Sequence, residues 1–145
     1  MQEQQTARSF TSDGASIFTI RSERIGEYWP VIAKFLLMVD DPEWTSDDVY
    51  ECIKDRFCQV WGMHMDGEIK GIWITKIQCN KDKFGLVWIA AGAGIEYGLP
   101  LFLSCTETWF KELGCKYVKV IGRRGWKKML PGYVEHAIEL RKVLN

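Results

Sequence analysis

The chain has 145 residues, a length suited to one ordinary domain with a substantial core. Lys plus Arg and Asp plus Glu both number 19, so the formal net charge is zero and no global field draws the chain to nucleic acid or an acidic membrane. A hydrophobic fraction of 47% with seven Trp excludes a disordered chain and predicts a well-filled core.

Residues 1–15 read as a polar N-terminal tail without the apolar run of a secretion signal, and residues 16–145 as a single domain. From Ser16 to Arg21, Ile17 and Thr19 alternate with Phe18 and Ile20, the period of a strand. From Ile25 the spacing becomes helical: Ile25, Trp29, Ile32 and Leu36 share a face, with Ala33 and Leu37 alongside and Pro30 near the first turn. Asp40-Asp41-Pro42 ends that helix. Thr45 and Ser46 ahead of Asp47 and Asp48 form an N-cap with an acidic first turn. They predict a second helix to about Phe57, burying Val49, Cys52, Ile53 and Phe57. Two strand-like runs follow, Gln59 to Met65 and Glu68 to Gln78. They are joined by Asp66-Gly67, a pair suited to a type I′ turn because both turn positions need positive φ.

After a polar connection, Leu86-Val87-Trp88-Ile89-Ala90 reads as a strand that opens into Ala91-Gly92-Ala93-Gly94. The next helix carries Phe102, Cys105, Trp109 and Leu113 on one stripe, with Gly114 at its end. Tyr117 to Ile121 is a further strand, and Gly122 to Leu130 a loop with a short basic helix, broken by Pro131-Gly132. The run Tyr133 to Leu144 fits two patterns. Val134, Ile138 and Leu140 alternate as in a strand, while Glu135, Glu139, Arg141 and Lys142 suit a helix.

No apolar run approaches the ~20 residues that cross a bilayer, so no membrane association is expected. Cys52, Cys58, Cys79, Cys105 and Cys115 contain no close pair. That argues against a metal site or disulfide framework and for reduced, mostly buried thiols in the cytoplasm.

Three features carry chemistry. A strand, a small-residue loop and a helix start read either as an anion cradle, because backbone N–H groups and the helix dipole hold phosphate where no Cβ intrudes, or as a close backbone approach or bulge where strands splay. Its residues are Ala90, Ala91, Gly92, Ala93 and Gly94, and no Arg, Lys, Gln, Ser or Thr occurs from Leu86 to Leu103. Arg123, Arg124, Lys127 and Lys128 surround Trp126 in the only dense basic cluster. This cluster would hold the phosphates of a cofactor or a nucleic acid, or an acidic partner, or else form a solvated helix face. His64, His136, Glu96 and Tyr133 are candidates for proton transfer, each with a structural reading beside it. Trp61, Trp73 and Trp88 fall on strands that adjoin and read as core, Trp73 with a second reading as cleft lining.

The order of elements from Ser16 onward resembles the GNAT N-acetyltransferase superfamily. The resemblance implies an α/β (α+β) domain with a mixed, mostly antiparallel central sheet and helices on both faces. It implies that Leu86 to Ala90 splays from Tyr117 to Ile121, with acetyl-CoA in the cleft and its pyrophosphate on Ala91 to Gly98. On that basis Ala90 to Gly94, Arg123 and Arg124 bind the cofactor, and Tyr133, His64 and His136 are the catalytic candidates. The family loop Arg/Gln-x-x-Gly-x-Gly/Ala is degenerate here: with its first glycine at Gly94, Ala91 takes the cation or amide position and Glu96 the final small one. Glu107-Thr108-Trp109-Phe110, Gly114-Cys115 and Gly122-Arg123-Arg124-Gly125-Trp126 also resemble small GNAT-like proteins of tailed bacteriophages. Two functions follow from the resemblance. One is acetyl-CoA-dependent N-acetyl transfer through an open cleft. The other is a catalytically inactive interaction or virion-associated protein, its cleft plugged by Tyr97, Leu99 or Trp126. Expected partners are a protein or phage virion component, or a second copy of the chain sharing a strand edge.

Overall fold

The computed structural model describes residues 9–12, 14–39, 42–92, 95–122 and 124–144. Among the described residues six strands form one sheet in chain order: β1 (Ser9–Ser12), β2 (Ala15–Ile20), β3 (Gln59–Met65), β4 (Glu68–Cys79), β5 (Lys83–Ala91) and β6 (Val118–Val120). Neighbours are antiparallel except β5 and β6, which run parallel. A parallel pair needs a crossover, and α3 (Ile95–Glu112) supplies it. On the opposite face of the sheet lie α1 (Ile25–Leu36) and α2 (Ser46–Lys54). This is the mixed, mostly antiparallel sheet with helices on both faces that the sequence predicts.

Helices on both faces give two cores. Trp61, Trp73, Phe102, Trp109 and Phe110 pack between the sheet and α3, with Ile17, Met63 and Val87. Ile20, Val60, Ile72, Ile74 and Ile89 pack against Ile25, Ile32 and Leu36 of α1 and Val49 and Ile53 of α2. A central strand covered on both sides buries consecutive residues, so Gly71 to Thr75 reads as an unbroken run instead of an alternation. Within the α3-side core, Trp61 Nε1 donates to Thr75 Oγ1 at 3.0 Å, and that hydroxyl donates to Gln59 Oε1 at 3.0 Å.

Local chemistry accounts for the element ends. Asp66 (φ 54°) and Gly67 (φ 76°) form the left-handed pair of the β3–β4 hairpin. Thr45 caps α2 with a reciprocal box: its hydroxyl accepts from the Asp48 N–H, and the Asp48 carboxylate accepts from the Thr45 N–H. Gly114 (φ 83°) ends α3, with Gly114 N–H donating to the Lys111 carbonyl and Cys115 N–H to that of Phe110.

Several expectations are corrected. Part of the segment read as a tail is structured, since Ser9–Ser12 pairs with β2. The second helix stops at Lys54 because Arg56 takes φ 63°, which leaves Phe57 beyond it and exposed. Pro30 stands in the second turn of α1, not the first. β6 is shorter than the predicted 117–121. Residues 133–144 form neither strand nor helix. Of the five free cysteines only Cys58 and Cys105 are buried. Among the described residues, no helix is long and apolar enough to cross a membrane.

Candidate functional site

β5 and β6 part company halfway along. Their register ends at Val87↔Val120, with a last bond from Ile121 N–H to the Val87 carbonyl at 3.5 Å, while β5 continues to Ala91. Trp88 to Ala91 therefore lie beside β4 on one side and, among the described residues, have no strand of this sheet on the other. Pairing between these two strands thus stops short of the end of β5, where the splay was expected.

The same stretch carries a bulge. Thr75 pairs with Val87 and Ile74 with Ile89, so Trp88 is an extra residue on β5. Its insertion puts both Trp88 and Ile89 on the α1–α2 face and turns Ala90 toward α3. The Lys76 ammonium lies 3.6 Å over the Trp88 ring, and Trp44 meets that ring edge-on with centroids 6.4 Å apart.

Beyond β5, Gly92 takes φ +129° and lies so close to Lys70 and Gly71 of β4 that a Cβ would collide with the Lys70 carbonyl. Only glycine fits there. α3 begins at Ile95, so the connection is three residues, 92–94, of which Ala93 and Gly94 lie outside the described residues. This corrects the loop expected from Ala91 to Gly98: residues 95–98 belong to the first turn of the helix. Gly98 stands inside α3 because the helix presses on the sheet there, and a Cβ would meet the Met63 sulfur and the Trp73 ring. Glu96 is the second residue of the helix.

The geometry suits an oxygen-rich anion. A strand edge without a β6 partner, the close-packed Gly92 and the start of an 18-residue helix follow one another at one end of the sheet. Trp73 stands opposite Ala90, fully buried and stacked on Phe102 at 4.4 Å, and its indole N–H has no hydrogen-bond partner. It lies across β5 from the open edge, inside the α3-side core, so this donor belongs to the core and not to the opening.

The predicted site residues divide. Ala90, Ala91 and Gly92 come together at the end of β5. Arg123 lies outside the described residues. Arg124 opens a 3-10 helix, Arg124–Met129, on which Lys127 and Lys128 are exposed. The proton-transfer candidates are not brought together. His64 is exposed on β3, its ring stacked on Phe18 at 4.4 Å. His136, expected on a last strand, lies instead in the exposed segment 133–144. The Tyr133 hydroxyl donates to the Glu107 carboxylate at 3.2 Å. Glu107 is twelve residues past Ile95, roughly 18 Å along the helix axis. Burial first, then the Glu107 charge, push the Tyr133 pKa well above the usual tyrosine value, so its proton stays on at neutral pH. Leu99 is buried in the α3-side core, and Trp126 packs on Gly122. The bulge at Trp88 and the unsatisfied Trp73 N–H escaped sequence reasoning, because both depend on strand register.

No protein-family model and no curated protein matches this sequence. Solved structures do match it. An aminoglycoside acetyltransferase from an uncultured soil metagenomic sample, crystallised with trehalose, superposes with a TM-score of 0.66 at 11% identity, over 92% of this chain and 99% of that one. A GNAT family acetyltransferase from Staphylococcus aureus gives 0.62 at 16% identity, over 90% and 99%. A ribosomal-protein-alanine N-acetyltransferase from Brucella melitensis biovar Abortus gives 0.60 at 15% identity, over 90% and 98%. At these identities the likeness establishes the fold, which is that of the GNAT acetyltransferases.

Proposed function

We propose that this chain is an acetyl-CoA-dependent N-acetyltransferase that grips its cofactor with main-chain donors in place of the side chains its degenerate loop lacks. The observation that carries the proposal is the parting of β5 from β6 at Val87, directly ahead of the three-residue turn into α3. It leaves a strand edge and a helix N-terminus facing the same opening. The similarity of the fold to acetyltransferases that act on aminoglycosides and on a ribosomal-protein alanine supports an amine as acceptor.

Bound acetyl-CoA would supply a thioester, the activated carbonyl for transfer to an amine. The backbone of Gly92 and the first turn of α3 would hold its pyrophosphate, and the open edge of Trp88 to Ala91 would donate N–H to the carbonyl oxygen as charge develops there. With an acceptor amine, the new C–N bond forms as the C–S bond breaks, and the amine proton leaves to solvent or to a nearby base. His64, His136 and Tyr133 stand apart, so no proton step is assigned to any of them. With its five free cysteines, the enzyme would work in a reducing cytoplasm.

The test is acetyl transfer to a panel of amines: an aminoglycoside, a polyamine and a peptide with N-terminal alanine. Mass spectrometry reads the gain of one acetyl group, with Gly94→Trp as the blocked control. Acetylation lost in the control supports the proposal. No acetylation of any amine leaves the fold as a non-catalytic scaffold, such as an interaction or virion-associated protein.

A further inference from the structure

The zero net charge of the chain hides an uneven placement. Residues 76–83 and 111–119 hold six lysines, Lys76, Lys81, Lys83, Lys111, Lys116 and Lys119, against two carboxylates, Asp82 and Glu112, a net charge of +4. The fold brings the two segments to one end of the sheet. Cys79 pairs with Lys83 where β4 turns back into β5. β6 begins beside them, with Lys116 N–H donating to the Lys83 carbonyl at 2.7 Å and Gly85 N–H to that of Tyr117 at 3.1 Å. α3 ends in the same place, since Cys115 N–H bonds the Phe110 carbonyl and the Phe110 ring packs on Gly85. Lys81, Lys111, Lys116 and Lys119 are exposed. Like charges gathered from four elements repel one another, and a polyanion relieves them.

An aromatic plate stands within this basic end. Tyr117 lies flat on Phe84, with centroids 4.9 Å apart and planes 5° from parallel. Phe84 is buried and Tyr117 is 46% exposed, so Phe84 covers one face of the Tyr117 ring and solvent meets the other. The Lys119 ammonium lies 4.9 Å over the same Phe84 ring. Val118 and Val120 turn their side chains to the α3-side core, so Tyr117 and Lys119, alternating with them, share the opposite side of β6. A ring already held flat loses little freedom when a second ring stacks on it. A nucleobase supplies such a ring, and a single strand carries phosphates on either side of it for the lysines. An acidic peptide would use the lysines and leave the plate bare, while the bases of a duplex are held within their own stack.

We infer that the end of the sheet around Tyr117 binds single-stranded nucleic acid, with one base stacked on the Tyr117 ring and the neighbouring phosphates on Lys81, Lys116 and Lys119. The length of β5 separates this surface from the opening ahead of α3. That strand starts at Lys83 and ends at Ala91, roughly 26 Å away at the ordinary strand rise. The basic 3-10 helix Arg124–Met129 also lies apart, because it follows the other end of β6. The inference stands independently of acyl transfer.

Fluorescence anisotropy of a labelled oligothymidylate and a labelled oligouridylate, titrated with the full chain over a salt series, tests it. The expected result is binding of at least one of them at low salt, with log K falling against log salt at a slope of roughly −2 to −3. The tighter of the two assigns the strand as DNA or RNA. The double variant K81Q/K116Q changes only exposed positions and is expected to reduce that slope by about 1.4. Tyr117→Leu keeps an apolar cover on Phe84 and is expected to weaken binding roughly tenfold at an unchanged slope, whereas Tyr117→Phe keeps the plate and binds as the wild type. K127Q/K128Q removes the same charge elsewhere and leaves binding unchanged. Binding of neither oligonucleotide overturns the proposal, as does equal binding of a duplex, wild-type affinity in Tyr117→Leu, or a loss in K127Q/K128Q as large as in K81Q/K116Q. Displacement of the oligonucleotide by polyglutamate of matched charge also overturns it, and marks the surface as one for acidic peptides.

Discussion

The Lys76 ammonium rests 3.6 Å above the Trp88 indole, at the residue of β5 that has no counterpart on β4. The bulged ring therefore meets both a cation and, in a T-shaped contact, Trp44. Replacing Lys76 with Met keeps the aliphatic cover and removes the charge, with an expected loss of about 0.5–1 kcal/mol. Trp88→Ala removes the half-buried plate itself and is expected to lose more, about 2 kcal/mol. Urea denaturation of the two variants checks the order and the size.

Gly98 in the first turns of α3 is a second point of control. Gly→Ala in a helix interior normally gains close to 1 kcal/mol. Here the added methyl meets the Met63 sulfur, and Met63 is fully buried and has no room to withdraw. Gly98→Ala is therefore expected to destabilise by about 1–3 kcal/mol, and Met63→Val in the same chain to recover part of that loss. Thermal unfolding of the two singles and the double measures the coupling.

Thr75 links Trp61 to Gln59 through one buried hydroxyl. Valine matches its shape and removes the oxygen both neighbours use, so Thr75→Val is expected to cost about 1–3 kcal/mol. A loss under a few tenths in chemical denaturation would contradict this account of the relay.

Tyr133 gives the chain an alkaline limit. Its pKa is raised in the fold, chiefly by burial and then by Glu107. Above pH ~10 the unfolded chain releases this proton while the folded chain retains it, so stability falls as pH rises past that point. Below that pH the contribution is fully present. Tyr133→Phe is expected to flatten the alkaline fall and to lose about 0.5–1.5 kcal/mol at neutral pH with the Glu107 bond. Denaturation at pH 7 and pH 11 separates the two effects.

Legibility of the sequence followed the range of the forces involved. The Asp66-Gly67 hairpin, the Thr45–Asp48 cap and the Gly114 stop are local and were readable from a few residues. Phe57 misled because its helical spacing continues past Arg56, whose left-handed φ ends the helix. Gly98 looked like loop, since the reason for a glycine there is Met63, far away in the chain. The splay was expected from element order alone, whereas the Trp88 bulge needs the β4 register. Tyr133 to Leu144 stayed ambiguous for a physical reason: the chain folded alone gives its apolar side chains nothing to cover them.

The central claim is that the opening between β5 and β6, with the turn into α3, binds acetyl-CoA. Calorimetric titration of acetyl-CoA into the purified chain tests it most directly, with Gly94→Trp alongside. The expected result is one site per chain with a dissociation constant on the order of micromolar, abolished in the variant. Absence of heat at millimolar ligand, or equal binding by the variant, would contradict it.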